Sequence, residues 1–331
     1  MTDDFAVPPA DWSDQRWREA AHGWVAEHVD RAGRRITGPV QARQRPWSLV
    51  WRVPTDGGAY WFKANNAGTR FEAGLLDALA RIAPGRVPEP VAVDVGRGWA
   101  LLPDGGETLR EAFDRERDLA VWERVLSGYA ALQRATAPAV GELLALGVPD
   151  HRPLAMTGHF TELLDDREAV PVGTPGGLTP QTYGRLRASL LEFAARCHKL
   201  DSYGVPPGVQ HDDLHDGNVL AADHRVFDWG DASVAHPFGT LLVTLRSVAD
   251  SFALPAGDPA LVRLRDAYLE VWTDRHDRAE LRSAAGLATG VAKVSRALAW
   301  RRALHTTDPA RAEYAGAVPG WLAELFEPDP L

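Results

Sequence analysis

The chain has 331 residues, with 36 Lys+Arg against 45 Asp+Glu and a net charge of −9. That balance excludes a dedicated nucleic-acid binder, which would neutralise phosphates with a basic face, and a polybasic membrane-surface protein. Hydrophobic residues make up 45% and charged residues 24%, so bulk disorder is excluded and one large or two modest domains are expected.

Met1-Thr2-Asp3-Asp4-Phe5 is acidic and lacks the basic and apolar regions of a secretory leader. No apolar run approaches the roughly 18 residues of a spanning helix, so a cytoplasmic protein with no membrane partner is expected. The single cysteine, Cys197, permits no intramolecular disulfide and is expected to be a small buried residue on a helix.

From Asp14 to Arg31, the positions Trp17, Ala20, Ala21, Trp24, Val25 and His28 have helical spacing, with Ser13 as a cap and Gly33 as a stop. The period then changes to two. Residues 36–42, 48–53 and 59–64 read as strands, with turns at Arg45-Pro46-Trp47 and Asp56-Gly57-Gly58. A helix is expected over 69–82 and two strands over 87–95 and 98–102, before Pro103-Asp104-Gly105-Gly106 breaks the pattern. Beyond it, helical periodicity marks 107–115, 118–135, 180–200, 259–276, 278–304 and 309–326, with a helical excursion and loops over 137–180. The expected layout is a mainly β lobe, 1–104, and a helical lobe, 105–331, and a cleft between such lobes is a favoured ligand site. The tryptophans Trp12, Trp17, Trp24, Trp47 and Trp51 are expected in the core of the small lobe, and Trp300-Arg301-Arg302 on a packed helix face.

One short strand-loop-strand island interrupts the helices: Val209-Gln210-His211-Asp212-Asp213-Leu214-His215-Asp216-Gly217-Asn218-Val219-Leu220, then Val226-Phe227-Asp228-Trp229-Gly230-Asp231. Its apolar pairs predict buried strands that carry the polar cluster at their ends. The pattern is His-x-Asp-x-x-x-x-Asn followed by Asp-Trp-Gly. Phosphoryl transfer needs such a set: a carboxylate to orient and deprotonate a hydroxyl, with an amide oxygen and a second carboxylate to hold Mg²⁺ on the phosphates. Asparagine occurs only at Asn65, Asn66 and Asn218, so chance matches number only about 0.01 per chain. A surface Asx-turn loop is the structural alternative.

Lysine is as scarce, at Lys63, Lys199 and Lys293 among 36 basic residues. Lys63 lies in the apolar stretch Tyr60-Trp61-Phe62-Lys63-Ala64, where a compact ammonium could bridge phosphates and the carboxylate of Glu72 on the next helix. Trp61 lies two residues from Lys63, hence on the same strand face, and is expected to stack on a purine rather than join Tyr60 and Phe62 in the core.

These residues resemble the aminoglycoside phosphotransferase-like family, small-molecule kinases of the protein-kinase-like fold. The resemblance covers most of the chain: strand lysine, helix glutamate, hinge, His-x-Asp-x-x-x-x-Asn loop, Asp-Trp and helical tail. It implies an α+β fold of a small β-rich lobe and a larger helical lobe, ATP or GTP as co-substrate, Mg²⁺, and a hydroxylated small-molecule acceptor such as an aminoglycoside or other antibiotic, a choline-like amine or a sugar. It implies Asp213 as catalytic base, Asn218 and Asp228 as Mg²⁺ ligands and His211 as a structural loop residue. Lys63, held by Glu72, would meet the α/β-phosphates, and Leu102 and Asp104 complete the nucleotide-contacting set. The acidic group Asp212, Asp216 and Asp231, with His215, would lie on the acceptor side and suit a cation, with Asp231 and His215 as acceptor contacts.

Three features depart from the family pattern. Asp212 replaces the glycine expected after the histidine. Gln44-Arg45-Pro46-Trp47-Ser48 stands where a Gly-x-Gly-x-x-Gly loop would be, leaving Ser48 to donate to a phosphate oxygen. Ala235-His236-Pro237-Phe238-Gly239-Thr240 replaces Gly-Asp-Pro-x-x-Asp, so an aspartate that would brace the catalytic backbone is missing. Two other functions are compatible with parts of the pattern. His211-Asp212 with His215-Asp216 could share a divalent ion in a phosphohydrolase, and a silent nucleotide-binding relative could keep the fold without turnover.

Overall fold

The computed structural model describes residues 12–328; Met1 to Phe5 lie outside them. The chain divides into two compact units. One runs up to Gly105 and takes in Arg302–Tyr314; the other comprises Gly106–Arg301 and resumes at Ala315.

In the first unit, helix α1 (Gln15–Arg31) is opened by Asp14, whose carboxylate accepts from the Trp17 amide at 2.9 Å. The cap is therefore Asp14 rather than Ser13; a carboxylate also complements the positive end of the helix. Strands β1 (Gln41–Arg45), β2 (Ser48–Thr55), β3 (Gly58–Asn65), β4 (Ala92–Asp94) and β5 (Trp99–Pro103) form an antiparallel sheet in the order β1-β2-β3-β5-β4. Two strands are shorter than their apolar patterns suggest, because prolines cannot donate to the ladder: Pro39 delays β1, and Pro88 with Pro90 confine β4.

The register gives each face of the sheet a distinct role. Trp51, Phe62 and Leu101 are cross-strand partners on one face, where they pack with Leu49, Val53, Ala64 and Trp99 against Ala21, Trp24, Val25 and Val29 of α1. Each fully buried aliphatic or aromatic side chain there contributes about 1.5–3 kcal/mol. Trp12 joins this core, Trp17 packs at its edge, and Trp47 instead meets Tyr314 edge-on, with ring centroids 5.0 Å apart. The opposite face carries Ser48, Val50 and Arg52 from β2, Asn65, Lys63 and Trp61 from β3, and Ala100 and Leu102 from β5. Helix α2 (Glu72–Ile82) follows a 3₁₀ turn, Ala67–Thr69, rather than starting at residue 69.

The second unit contains α3 (Leu109–Phe113), α4 (Ala120–Thr136), α5 (Val140–Ala145), α6 (Pro153–Asp165), α7 (Pro180–Ala188), α8 (Leu190–Asp201), α9 (Leu241–Phe252), α10 (Pro259–Leu269), α11 (Arg278–Ala303, its last two residues grouping with the first unit) and α12 (Ala317–Ala323). Strands β6 (Asp150–His151), β7 (Gly208–Gln210) and β8 (Ser233–Ala235) form a small sheet in the order β6-β8-β7. The single helix expected over 180–200 is broken at Ser189, whose hydroxyl donates to Leu186 O at 2.9 Å and competes with the helical ladder. The helix expected over 309–326 is interrupted at Gly316 and shortened to α12, with 3₁₀ turns on both sides. Helix α9 was not expected from the sequence, although Leu241, Leu242, Leu245 and Val248 are buried along one side of it. Cys197 is buried on α8, and burial pushes its thiol up to about 11, which makes it inert packing. Among the described residues no helix is long and apolar enough to cross a membrane.

Candidate active site

On the face of the first unit's sheet opposite α1, Lys63 Nζ lies 2.8 Å from Glu72 Oε1 and 2.7 Å from Oε2. Asn65 donates to Glu72 Oε2 at 2.9 Å. Glu72, at the first turn of α2, is therefore held by two donors two residues apart on β3. Trp61 is half-buried on the Lys63 face and stands outside the apolar core cluster. Its cross-strand neighbours are Arg52 and Leu102. Asp104 follows β5, with its amide bonded to Ala59 O at 3.1 Å. Ser48 is buried at the start of β2, opposite Asn65.

The turn before Ser48 contains no glycine, and it is tied down. Asn66 donates through Nδ2 to Pro46 O at 3.2 Å and to Ala303 O at 3.0 Å, while its own amide N–H donates to Trp47 O at 2.9 Å. No spacing in the sequence assigns these contacts to Asn65 and Asn66. Their scarcity was the available signal.

In the second unit, β7 delivers the loop that follows it. His211 is fully buried; its Nε2 lies 2.8 Å from Phe227 O and its Nδ1 accepts from the Asp213 amide at 3.3 Å. The structure thus gives His211 a bracing contact inside the loop. Asn218 Nδ2 donates to Asp213 O at 3.0 Å, and the Phe227 amide donates to Asn218 O at 3.0 Å, so Asp228 directly follows the residue paired with Asn218. Asp228 is exposed and sits at φ 65, in the left-handed region that aspartate tolerates better than most residues. With its Nδ2 engaged, Asn218 offers an amide oxygen; together with the Asp228 carboxylate this is a hard-oxygen donor set that fits Mg²⁺. Among the described residues no group of three or more His, Cys, Asp or Glu gathers around a metal position. A magnesium ion held by one carboxylate, one amide and substrate phosphates needs no such group.

The extra acidic residues are engaged elsewhere. Asp212, at φ 63 in the place of the expected glycine, is buried; its Oδ2 accepts from Ser233 at 2.6 Å and Ser295 at 3.0 Å, and its Oδ1 from Gln210 at 3.3 Å. Burial pushes its carboxyl up to about 6 against these hydrogen bonds. Asp216 is bound to Arg110 at 2.7 Å and accepts from Ser251 at 3.1 Å. His215 Nδ1 accepts from the Gly217 amide at 3.0 Å, and its Nε2 lies 3.7 Å from Asp213 Oδ2. Asp231 pairs with Arg296 at 2.7 Å. The expected acidic acceptor patch of Asp212 and Asp216 is therefore corrected to two internally satisfied carboxylates. Among the described residues, His211, Asp212, His215 and Asp216 form no group that could hold a metal ion.

Two contacts to this segment have no signal in the sequence. Tyr129 on α4 accepts the His211 amide at 2.8 Å. Arg296 on α11 lies 3.1 Å from Asp213 Oδ1 as well as meeting Asp231. No local spacing connects either residue to the loop.

This arrangement, an antiparallel five-stranded sheet unit with a strand lysine on a helix glutamate and a helical unit carrying the loop, is the protein-kinase-like fold. Residues 40–279 match the phosphotransferase enzyme family, and the chain belongs to it. No curated protein matches the chain by sequence. Solved structures with the same fold include a choline/ethanolamine kinase family protein from Mesorhizobium loti (16% identity, 94% of this chain and 95% of that one covered, TM-score 0.59). A macrolide 2′-phosphotransferase from Brachybacterium faecium is 20% identical (92% and 99% covered, TM-score 0.56). The APH(2″)-IIIa protein, in complex with GDP and kanamycin, is 16% identical (92% and 97% covered, TM-score 0.58).

Proposed function

We propose that this phosphotransferase family member moves the γ-phosphoryl group of ATP or GTP to a hydroxyl of a small molecule. The acceptor oxygen bonds to the γ-phosphorus, the bond to the β–γ bridging oxygen breaks, and the nucleoside diphosphate leaves. Asp213 accepts the hydroxyl proton. Lys63, held by Glu72, neutralises α/β-phosphate charge, Ser48 donates to a phosphate oxygen, and Trp61 lies over the base beside Leu102 and Asp104. Asn218 and Asp228 would hold Mg²⁺, which offsets phosphate charge when bound. His215 flanks the base on the acceptor side.

The observation that carries this reading is the Asn218–Asp213 bond at 3.0 Å, which ties a hard-oxygen metal donor to the backbone of a partly exposed carboxylate. A solvated Asx-turn does not need a fully buried histidine to brace it from below. Asp212, Asp216 and Asp231 are each engaged by partners within the second unit, so they do not argue for a cationic acceptor.

A panel of kanamycin, a macrolide, choline, ethanolamine and neutral sugars, each with Mg²⁺ and ATP or GTP, tests the reading. Acceptor-stimulated ADP or GDP release is expected, with one phosphate added to the acceptor by mass. Phosphate release from monoesters without nucleotide would overturn it in favour of a phosphohydrolase, and nucleotide binding without transfer to any acceptor in favour of a silent relative.

A further inference from the structure

We infer that Arg296 is a positioning residue for Asp213, and that Asp231 acts as the anchor of Arg296 rather than as an acceptor contact. The inference rests on the phosphotransferase reading, in which Asp213 is the base. Arg296 Nη1 lies 2.7 Å from Asp231 Oδ2, and Nη2 lies 3.1 Å from Asp213 Oδ1. One planar guanidinium thus spans two carboxylates from two chain segments, which its fixed fork of donors allows and a lysine ammonium does not.

Burial is uneven across the trio. The Arg296 side chain is 5% exposed, whereas those of Asp213 and Asp231 are 30% and 27% exposed. The cation is therefore fixed by packing, and the base keeps an open side. The Trp321 ring lies 5.5 Å from the guanidinium carbon. Burial opposes the charge of Arg296, but the carboxylates of Asp213 and Asp231 outweigh it and hold the guanidinium above its ordinary value. Ser295, the preceding residue of α11, donates to Asp212 at 3.0 Å. Two successive residues of one helix thus grip two successive residues of the loop.

The consequence for the reaction is directional. With Oδ1 of Asp213 held by Arg296, Oδ2 is the oxygen available to an acceptor hydroxyl. Small displacements of a reacting group cost large factors in rate, so loosening the clamp should lower turnover without touching nucleotide affinity. Asp231 would contribute only through Arg296.

The test uses the full chain and the slow hydrolysis of Mg²⁺·ATP and Mg²⁺·GTP with water as acceptor, beside nucleotide Kd from tryptophan emission. R296M is expected to lower kcat about 10–100-fold with Kd within about twofold, and R296K to recover part of the loss. D231N should lower kcat about 3–10-fold, and the R296M/D231N pair should be no slower than R296M, because contributions through one residue are not additive. D231N at full kcat, or losses that multiply in the pair, would overturn the inference. D213N at wild-type turnover would instead sink the base assignment and the phosphotransferase reading with it. Arginine side-chain ¹⁵N spectra, with the Arg296 signal assigned by R296K, give a reading that requires neither turnover nor a folded R296M. Two resolved Nη signals that merge in D231N are expected; one averaged signal in the wild type would overturn the clamp.

Discussion

Lys63 Nζ lies within 2.8 Å of both carboxylate oxygens of Glu72, and both side chains are largely withdrawn from water, at 14% and 7% exposure. A pair so placed is costly to break from one side, because the remaining charge keeps its desolvation penalty without its partner. It is also a cation fixed between Trp61 and Asn65 on one face of β3.

Lys63→Met should therefore lower unfolding stability by about 3–5 kcal/mol, since it takes the ammonium away from a carboxylate that stays buried. Glu72→Gln should cost less, because the amide oxygen still accepts from Asn65. Urea unfolding at neutral pH measures both. Equal midpoints for wild type and Lys63→Met would show that the pair makes no net contribution.

The two carboxylates of the loop and its hairpin should fail differently when removed. Asp213→Asn keeps the size of the side chain but loses the base, so transfer should drop by about 10²–10⁴-fold with nucleotide binding retained. Asp228→Asn removes charge from the Mg²⁺ shell, so Mg²⁺-nucleotide binding itself should weaken, and Asn218→Ala should behave like it. Calorimetric titration beside single-turnover transfer separates them. Loss of nucleotide binding in Asp213→Asn with both functions intact in Asp228→Asn would reverse the roles.

Trp61 shares its face with Lys63 and lies opposite Leu102. Nucleotide should quench its emission, and Trp61→Ala should weaken nucleotide binding by about 1–3 kcal/mol if the indole stacks on the base. Unchanged Kd in a folded Trp61→Ala protein would return Trp61 to a packing role.

Asp212 offers a pH signature. Its carboxyl is raised from 3.8 to about 6 by burial, so between those values the folded chain binds more proton than the unfolded one. Its contribution to stability is therefore greatest below about pH 4 and is lost as pH rises to about 6, a difference of roughly 3 kcal/mol. Asp212→Asn removes the titration and suits the left-handed backbone. Denaturant midpoints from pH 4 to 7 should show the variant gaining on wild type as pH rises. Parallel curves would place the Asp212 carboxyl in its ordinary range.

Tyr129→Phe removes the acceptor of the buried His211 amide at 2.8 Å. An unpaired buried donor costs about 1–3 kcal/mol, so stability should fall by that amount and protection of the His211 amide from hydrogen exchange should drop with it. Unchanged protection would mean that another group takes the amide.

Much of this protein can be read along the chain because the signals are local. Alternating residues in 48–55 and 58–65 place Trp51, Phe62 and Ala64 on one face and Lys63 and Trp61 on the other, whatever the strands pack against. The His211, Asp213, Asn218 and Asp228 spacing is likewise confined to one loop and hairpin, and the scarcity of lysine and asparagine sharpens it. Prolines and glycines at 38–39, 88, 90 and 316 moved element boundaries without changing their order.

What only the tertiary structure decided is which charges are already paired. The sequence places Asp212, Asp213, Asp216 and Asp231 close together and suggests an acidic surface. Their partners, Ser233 and Ser295, Arg296, and Arg110 with Ser251, lie 21 to 106 positions away in the chain for the bonds that matter. Tyr129 reaches His211 across 82 positions. A hydrogen bond forms between atoms about 3 Å apart in space and leaves no periodicity in the chain. The sequence therefore determined which groups are present, and the fold determined which of them remain open to a ligand.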